Sequence, residues 1–305
     1  MPDAIRGVLP VAPSVFHSNE DVDLDGQRCV VDYVVDSGSD GICVLANYSE
    51  QFSLSDQERQ AIVEATIDQA SGRIPIVVAT SHYSARVAAL RSREAQEMGA
   101  SMVMLMPPFF GATLSVGPET VRAFFHEVAE AVDVPIMIQD APMSTTQMSV
   151  QQLVDLAHEI PHLKYMKIET PRAADKIRVL SARAGEDLLG IYDGEEGVTL
   201  VPDLDAGAQG SMTSCLIPDV IGAVVRDHLA GDRDAAVARW EDVLPLVHFE
   251  NRQCGLQAVK ILMEVGGIIG SATSRAPLAS LGDHTREALL ALARRHDPLI
   301  LRWAA

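Results

Sequence analysis

Lysine is used sparingly in this chain: of 24 basic residues, only Lys164, Lys167, Lys176 and Lys260 are lysines. Lys167 stands in the run Leu163-Lys164-Tyr165-Met166-Lys167-Ile168, which reads as a strand covered on both faces. Burial disfavours an ammonium ion, so this position is expected to hold a neutral amine able to attack a carbonyl carbon. Glu169 follows two residues later and therefore projects to the same side of the strand. It offers either a proton acceptor beside the amine or, on a plainer alternative, a structural counter-charge.

Lys167 belongs to a repeating pattern. Eight short apolar runs, at 7–11, 41–45, 75–79, 101–106, 135–138, 163–168, 189–192 and 209–212, alternate with helix-like stretches. Helical periodicity covers 24–36, 56–69, 85–98, 118–131 and 150–158. Ser55 with Glu58 has the spacing of a capping box, Ser149 is placed as an N-cap, and Gly72, Gly99 and Gly185 stand where helices should stop. Strand and helix repeated eight times over 1–230 predict a closed (β/α)8 TIM barrel of the α/β class. An open doubly wound sheet is the alternative, weakened by the lack of a Gly-rich phosphate turn after the first run. From about residue 231 only helices are expected, over 232–243, 257–264 and 284–295. The chain thus divides into a barrel (1–230) and a C-terminal helical appendage packed on it (231–305).

In such barrels catalytic groups sit at the carboxyl ends of the strands. Here those ends read Asn47-Tyr48-Ser49-Glu50, Thr80-Ser81-His82-Tyr83, Pro107-Pro108-Phe109-Phe110, Gln139-Asp140-Ala141-Pro142, Lys167-Ile168-Glu169-Thr170, Asp193-Gly194-Glu195-Glu196 and Thr213-Ser214. Polar residues collect there while the strand interiors stay apolar.

Composition removes several other chemistries. A net charge of −18 repels phosphate backbones and anionic lipids, so neither a nucleic-acid nor a membrane partner is expected. Cys29, Cys43, Cys215 and Cys254 are too scattered for a disulfide framework or a zinc site, which suits reduced thiols in the cytoplasm. No signal-peptide pattern opens the sequence, and no apolar run is long enough for a membrane span. Metal-protease, P-loop and dinucleotide motifs are missing, so no metal and no cofactor is expected.

The segments Ala46-Asn47-Tyr48-Ser49-Glu50, Met106 to Phe110, Gln139 to Pro142, Tyr165-Met166-Lys167 and Gly207 to Ser214 resemble, in order, the dihydrodipicolinate synthase/N-acetylneuraminate lyase family. The resemblance covers nearly the whole chain. It implies a Schiff base between Lys167 and a small 2-keto acid, no cofactor, and a homotetramer. The departures matter as much. The family's carboxylate-binding G-T-T-G-E reads Ala46 to Glu50 here, leaving Asn47, Tyr48 and Ser49 as candidates for that role. The family's catalytic Tyr is Gln139, its relay Tyr is Phe110, and the Arg that reads a second carboxylate is Ser144. A Gln is no general base and a Phe relays no proton.

Aldol cleavage needs a base on the C4 hydroxyl, whereas dehydration needs proton removal at C3 and an acid at C4, so elimination is favoured. Asn47 to Phe52, Thr80 to Ser84, Gln139 to Pro142, Lys167 to Pro171, Asp193 to Glu196 and His248-Phe249-Glu250-Asn251-Arg252-Gln253 resemble the family's dehydratases of 2-keto-3-deoxy sugar acids. The implied reaction turns 2-keto-3-deoxy-L-arabonate into 2,5-dioxopentanoate in pentose catabolism. Glu169 is the expected acid/base, with His82 and Tyr83 able to protonate the leaving hydroxyl or bind the sugar end. Gln139 is expected beside the imine, Glu195 and Glu196 on hydroxyls or at a helix terminus, Met212 and Ser214 on substrate, and Phe110 as a wall. The rivals are an aldolase, a dehydratase of another sugar acid, and a keto-acid-binding barrel without catalysis.

Overall fold

The computed structural model describes residues 4–111 and 116–304; the outermost residues of the two expected parts, 1–3 and 305, lie outside this range. Among the described residues, eight parallel strands alternate with helices: β1 Gly7–Val8, α1 Leu24–Asp36, β2 Ile42–Val44, α2 Asp56–Ala70, β3 Ile76–Ala79, α3 Ala85–Met98, β4 Met102–Leu105, α4 Pro118–Ala129, β5 Ile136–Asp140, α5 Val150–Glu159, β6 Leu163–Ile168, α6 Ala173–Ala184, β7 Gly190–Asp193, α7 Leu200–Asp205, β8 Gly210–Ser211 and α8 Pro218–Leu229. From β2 to β8 each strand pairs with its sequence neighbours, and β1 pairs with β8. A parallel bridge between Val11 and Cys43, with the Cys43 N–H donating to Pro10 O at 2.9 Å, joins β1 to β2 and closes the barrel.

Alternation along the strands sorts the core into two layers. Val77, Ala79, Met102, Met104, Met137, Tyr165, Tyr192 and Met212 fill the barrel interior. Their neighbours Ile76, Val78, Val103, Leu105, Ile136, Ile138, Met166 and Ile168 face the helices. The period of two then dictates what comes next at each mouth position: Gln139 after Met137, Lys167 after Tyr165, Gly194 after Tyr192. At the opposite end, Tyr192 Oη donates to Ile5 O at 2.6 Å and Tyr165 Oη accepts the Ile5 N–H at 3.1 Å, so the N-terminal segment plugs the floor.

The helix signals read from sequence operate as local physics predicts. Ser55 and Glu58 exchange both capping-box hydrogen bonds, as do Ser149 and Gln152. Gly99 ends α3 in the left-handed region, whereas α2 stops at Ser71, one residue before Gly72. The helix expected over 232–243 runs further, as α9 Arg233–Phe249, straight through Pro245. Pro245 removes one N–H, but the burial of Leu246 and Val247 holds the helix on course. A π-helical turn, Glu250–Cys254, follows, then α10 Gln257–Val265 and α11 Asp283–Ala293. No helix among the described residues is long and apolar enough to cross a membrane.

The C-terminal helices grip the barrel mouth through charge. Lys260, fully buried, pairs with Glu50 just after β2 and donates to Thr273 O at 2.9 Å. Lys260 and Arg275 each lie over the Phe16 ring, 4.4 Å from its centroid. Arg275 also pairs with Glu58 at the start of α2, and its backbone N–H reaches the second Glu50 oxygen at 2.9 Å. Truncating one member would strand the other's charge in the interior, at a cost of about 3–5 kcal/mol. Lys260→Ala is therefore expected to lower the urea midpoint by a corresponding amount, while Lys260→Met with Glu50→Leu recovers much of it; equal midpoints for all three proteins would contradict the pairing.

Candidate active site

The two strands beside Lys167 define its surroundings. In register it lies opposite Gln139 on β5 and Tyr192 on β7. Its side chain is enclosed, and Nζ lies 2.9 Å from Glu169 Oε1. Gln139 Nε2 donates to that same oxygen at 2.7 Å, while its own Oε1 is buried with no hydrogen-bond partner. Gly194 makes this crowding possible: a Cβ there would fall 2.4 Å from Glu169 Cγ and 2.9 Å from Lys167 Cε. Lysine, carboxylate and amide thus meet at one spot on the inward face.

The expected neutral amine is corrected by the structure. Burial pulls the Lys167 ammonium down, the carboxylate of Glu169 opposes this by charge and by hydrogen bond, and the net direction is upward, so the proton is held more tightly than on a free lysine. A nucleophile at this site must first hand a proton to a neighbour, and Glu169 is in hydrogen-bond reach.

Two further carboxyls complete the site. Glu196 takes a left-handed backbone (φ 52°) between β7 and α7, which turns its side chain into the covered mouth. Burial holds its carboxyl well above the ordinary range; Lys167 opposes this and Glu169, Glu250 and Asp193 add to it. Glu250 comes from the π-helical turn of the C-terminal helices and is 1% exposed. Burial pushes it up to about 8 against a hydrogen bond from Ser214. Tyr48, half-buried, faces Glu196, Glu250 and Glu169, and burial with those charges pushes its hydroxyl far up. Glu195 is raised by burial, Asp193 and Glu169, with Arg252 opposing.

Other candidates sit elsewhere or are already engaged. The Ser49 hydroxyl donates to Ala12 O at 2.6 Å and accepts the Ala46 N–H at 3.1 Å, so it pins the loop. Asn47 Oδ1 accepts from Gln51 at 2.6 Å. The Met212 N–H donates to Asp193 O at 2.8 Å, and the Ser214 hydroxyl accepts the Leu216 N–H at 3.2 Å. His82 and Tyr83 line a cavity of about 280 Å³ with Phe52, Met106, Phe109 and Phe110, and the Tyr83 and Phe110 rings lie 5.8 Å apart. His82 Nδ1 accepts the Ser84 N–H at 3.0 Å, and burial with Arg91 lowers its affinity for a second proton. Ser144, where the resemblance placed an Arg, is buried and bonded to backbone.

Glu250 was legible only as one letter in the segment His248 to Gln253, because a helical tail gives no hint that a π turn swings it into a barrel mouth. Asp193 and Asp203 form a second buried acid pair just behind the Glu195–Glu196 loop. Asp193 accepts from Ser211 at 2.6 Å, Asp203 from Thr199 at 2.7 Å, and one Asp203 oxygen has no partner. Among the described residues, no group of three or more His, Cys, Asp and Glu side chains is arranged to hold a metal ion.

Comparison with known proteins agrees with this geometry. A family model, the dihydrodipicolinate synthetase family, matches residues 4–296. The chain is 46% identical over 299 residues to the L-2-keto-3-deoxyarabonate dehydratase of Azospirillum brasilense, covering 98% of this chain and 97% of that protein. It is 30% identical over 295 residues to a 4-hydroxy-tetrahydrodipicolinate synthase of Thermomicrobium roseum, covering 94% and 93%. Among solved structures, dihydrodipicolinate synthase from Rhodopseudomonas palustris superposes with a TM-score of 0.87 at 28% identity, covering 95% of this chain and 97% of that one.

With Glu169→Gln, Lys167 loses the charge that contributes most to holding its proton, so the neutral amine should appear at lower pH. Reductive methylation of Lys167, followed by peptide mass, is expected to show its acid limb displaced to lower pH; an unmoved limb would contradict the pairing. The acid pair behind the loop has a separate signature. Burial and Asp193 push the Asp203 carboxyl from 3.8 up to about 7. The native state then keeps a proton that the unfolded chain has lost across that window, so stability falls as pH rises through it. Urea midpoints should decline between about pH 4 and pH 7 in the native sequence and decline less in Asp203→Asn.

Proposed function

Because the chain belongs to the dihydrodipicolinate synthetase family, we propose that it is a Schiff-base dehydratase turning 2-keto-3-deoxy-L-arabonate into 2,5-dioxopentanoate. The observation that carries the reading is the disposition around Lys167: Glu169 in contact with the amine, Gln139 where the family's Tyr would be, and a proton-holding Glu196 facing both.

The steps follow from the protonation states. As the C2 ketone approaches, Lys167 passes a proton to Glu169, and its free pair attacks C2. Glu169 returns the proton to the carbinolamine hydroxyl, which leaves as water, giving the iminium and restoring the carboxylate. Glu169 then takes a C3 proton and the enamine forms. The enamine electrons make the C3–C4 double bond as the C4–O bond breaks, and the Glu196 carboxyl protonates the departing hydroxyl. Loss of a C5 proton and protonation at C3 give an enol, which loses its hydroxyl proton as C4 is protonated and so becomes the aldehyde, and water hydrolyses the imine. Lys167 is the electron sink throughout, so this reading requires neither metal nor cofactor.

The substrate carboxylate is assigned to the turn Asn47–Ser49, whose first N–H groups, on Asn47 and Tyr48, have no acceptor within so short a turn. Ser49 holds that turn in place. Glu195 takes the distal hydroxyl, Gln139 and the Ser214–Met212 segment line the acyl portion, and His82 and Tyr83 form the outer rim. A sugar acid with a second carboxylate is disfavoured by the carboxyls of Glu195 and Glu196 and by Ser144. The proposal extends to a cytoplasmic homotetramer acting in pentose breakdown, with 1–230 as the catalytic barrel and 231–305 as its helical appendage.

Incubation with pyruvate and borohydride is expected to add mass at Lys167 alone, and a native fold without that adduct would remove the mechanism. Given the five-carbon deoxy keto acid, the protein should form semialdehyde; pyruvate with glycolaldehyde would identify an aldolase instead. Glu196→Gln should lower kcat by about 10²–10⁴-fold while the pyruvate adduct still forms, since the acid acts only after the imine.

A further inference from the structure

Resting on the assignment of Glu196 as the acid of the elimination step, we propose that Trp240, on α9 outside the barrel, is a positioning residue for that acid. Its indole N–H fixes the backbone of the Glu196 loop and so sets where the carboxyl meets the departing hydroxyl.

The loop is one that needs holding. Glu196 (φ 52°) and Gly197 (φ 90°) are consecutive left-handed residues. Glycine enters that region freely, but the Cβ of Glu196 makes it unfavourable, so the turn persists only where its surroundings fix it. Each of the three carbonyls from Glu195 to Gly197 has a partner. Within the turn, Glu195 O accepts the Val198 N–H at 2.9 Å and Gly197 O accepts the Leu200 N–H at 3.3 Å. Two further bonds come from distant parts of the chain. Thr213 Oγ1, after β8, donates to Glu196 O at 3.2 Å, and Trp240 Nε1 donates to Gly197 O at 2.8 Å. The two peptide units that follow the Glu196 Cα are thus pinned by two separate elements.

Of these two anchors the indole bond is the shorter. Without it the Gly197 carbonyl keeps only the long bond to Leu200, and its peptide can turn to relieve the left-handed backbone. The Trp240 ring is itself held, packed partly buried against the core on a helix that contacts α7 and α8. The Glu196 side chain has a weaker hold of its own: Asn251 Nδ2 lies 3.4 Å from Oε2, longer than an ordinary hydrogen bond. The aim of the carboxyl therefore depends on its backbone. Trp303 supplies a control of the same chemistry, since its Nε1 donates to Asp36 Oδ2 at 2.8 Å, at the end of α1.

The test separates leaving groups. A C4 hydroxyl needs a proton to depart, whereas chloride in its place keeps the bonding pair and leaves as an anion without one. Trp240→Phe keeps a ring but loses the N–H, and is expected to slow elimination of the hydroxyl by about 10–10²-fold, the cost of misplacing a catalytic group. Chloride release from the 4-chloro analogue, KM and the pyruvate adduct at Lys167 should stay at native values. Trp303→Phe should leave both eliminations unchanged. Slowing of both leaving groups alike in Trp240→Phe, slowing of neither, or the same selective slowing in Trp303→Phe overturns the proposal. Should Trp240→Phe not fold, benzothienylalanine in place of Trp240, introduced in the Trp303→Phe background, keeps the ring shape without the N–H and is judged by the same two rates. Glu196→Gln probes the assignment beneath: it should show the selective slowing too, and hydroxyl elimination as fast as native there would remove the acid itself. A native protein that forms no pyruvate adduct would sink the Schiff-base reading instead, and is recognised separately.

Discussion

An ammonium sealed inside a ring of strands must have a counter-charge, and the rest of the mouth is organised around that requirement. Glu169 supplies it at 2.9 Å, from two residues along the same strand. Gln139 in turn steadies Glu169, and the bare backbone of Gly194 leaves room for both side chains. The pairing also settles a conflict between two forces. Burial alone would have freed the amine of its proton, yet the surrounding carboxyls reverse the sign. In the proposed chemistry the lysine is consequently a proton donor before it is a nucleophile, and its neighbour is an acid and a base in turn.

Much of this was readable as pattern. Eight apolar runs of strand length, with capping signals between them, led to the barrel; the period of two put Lys167 and Glu169 on one inner face, and the family resemblance put Gln139 beside them. What sequence could not give depended on sums and on distant chain segments. The proton affinity of Lys167 is a balance of desolvation against Glu169, next on its own chain segment, and Glu196, from the loop after β7. Ser49 looked like a ligand because it has a hydroxyl, but backbone groups of its own loop and of the segment after β1 occupy that hydroxyl. Glu196 gains its orientation from a left-handed residue, a conformation no composition rule assigns to Glu. Glu250 needed a π turn, and Pro245 concealed the helix that carries it.

The C-terminal helices also acquire a different character in the structure. Considered alone, they look like covering for one side of a barrel. Yet Lys260 and Arg275 hold the loop that carries Glu50, Trp240 holds the loop that carries Glu196, and Glu250 enters the mouth itself. Loops at a barrel mouth are otherwise its least constrained segments. Here two of them are fastened from outside by buried charge and by an indole hydrogen bond, which favours a preformed arrangement over one assembled on binding.

The plugged floor of the barrel has a consequence for traffic. Tyr165 and Tyr192 grip Ile5 below, and their rings are among the buried side chains that fill the bore above it. The proposed cycle releases water when the imine forms, releases another at elimination, and takes one up to free the product. All of these molecules must use the opening through which the sugar acid arrives. A seated substrate then stands in the same opening that the hydrolytic water has to use.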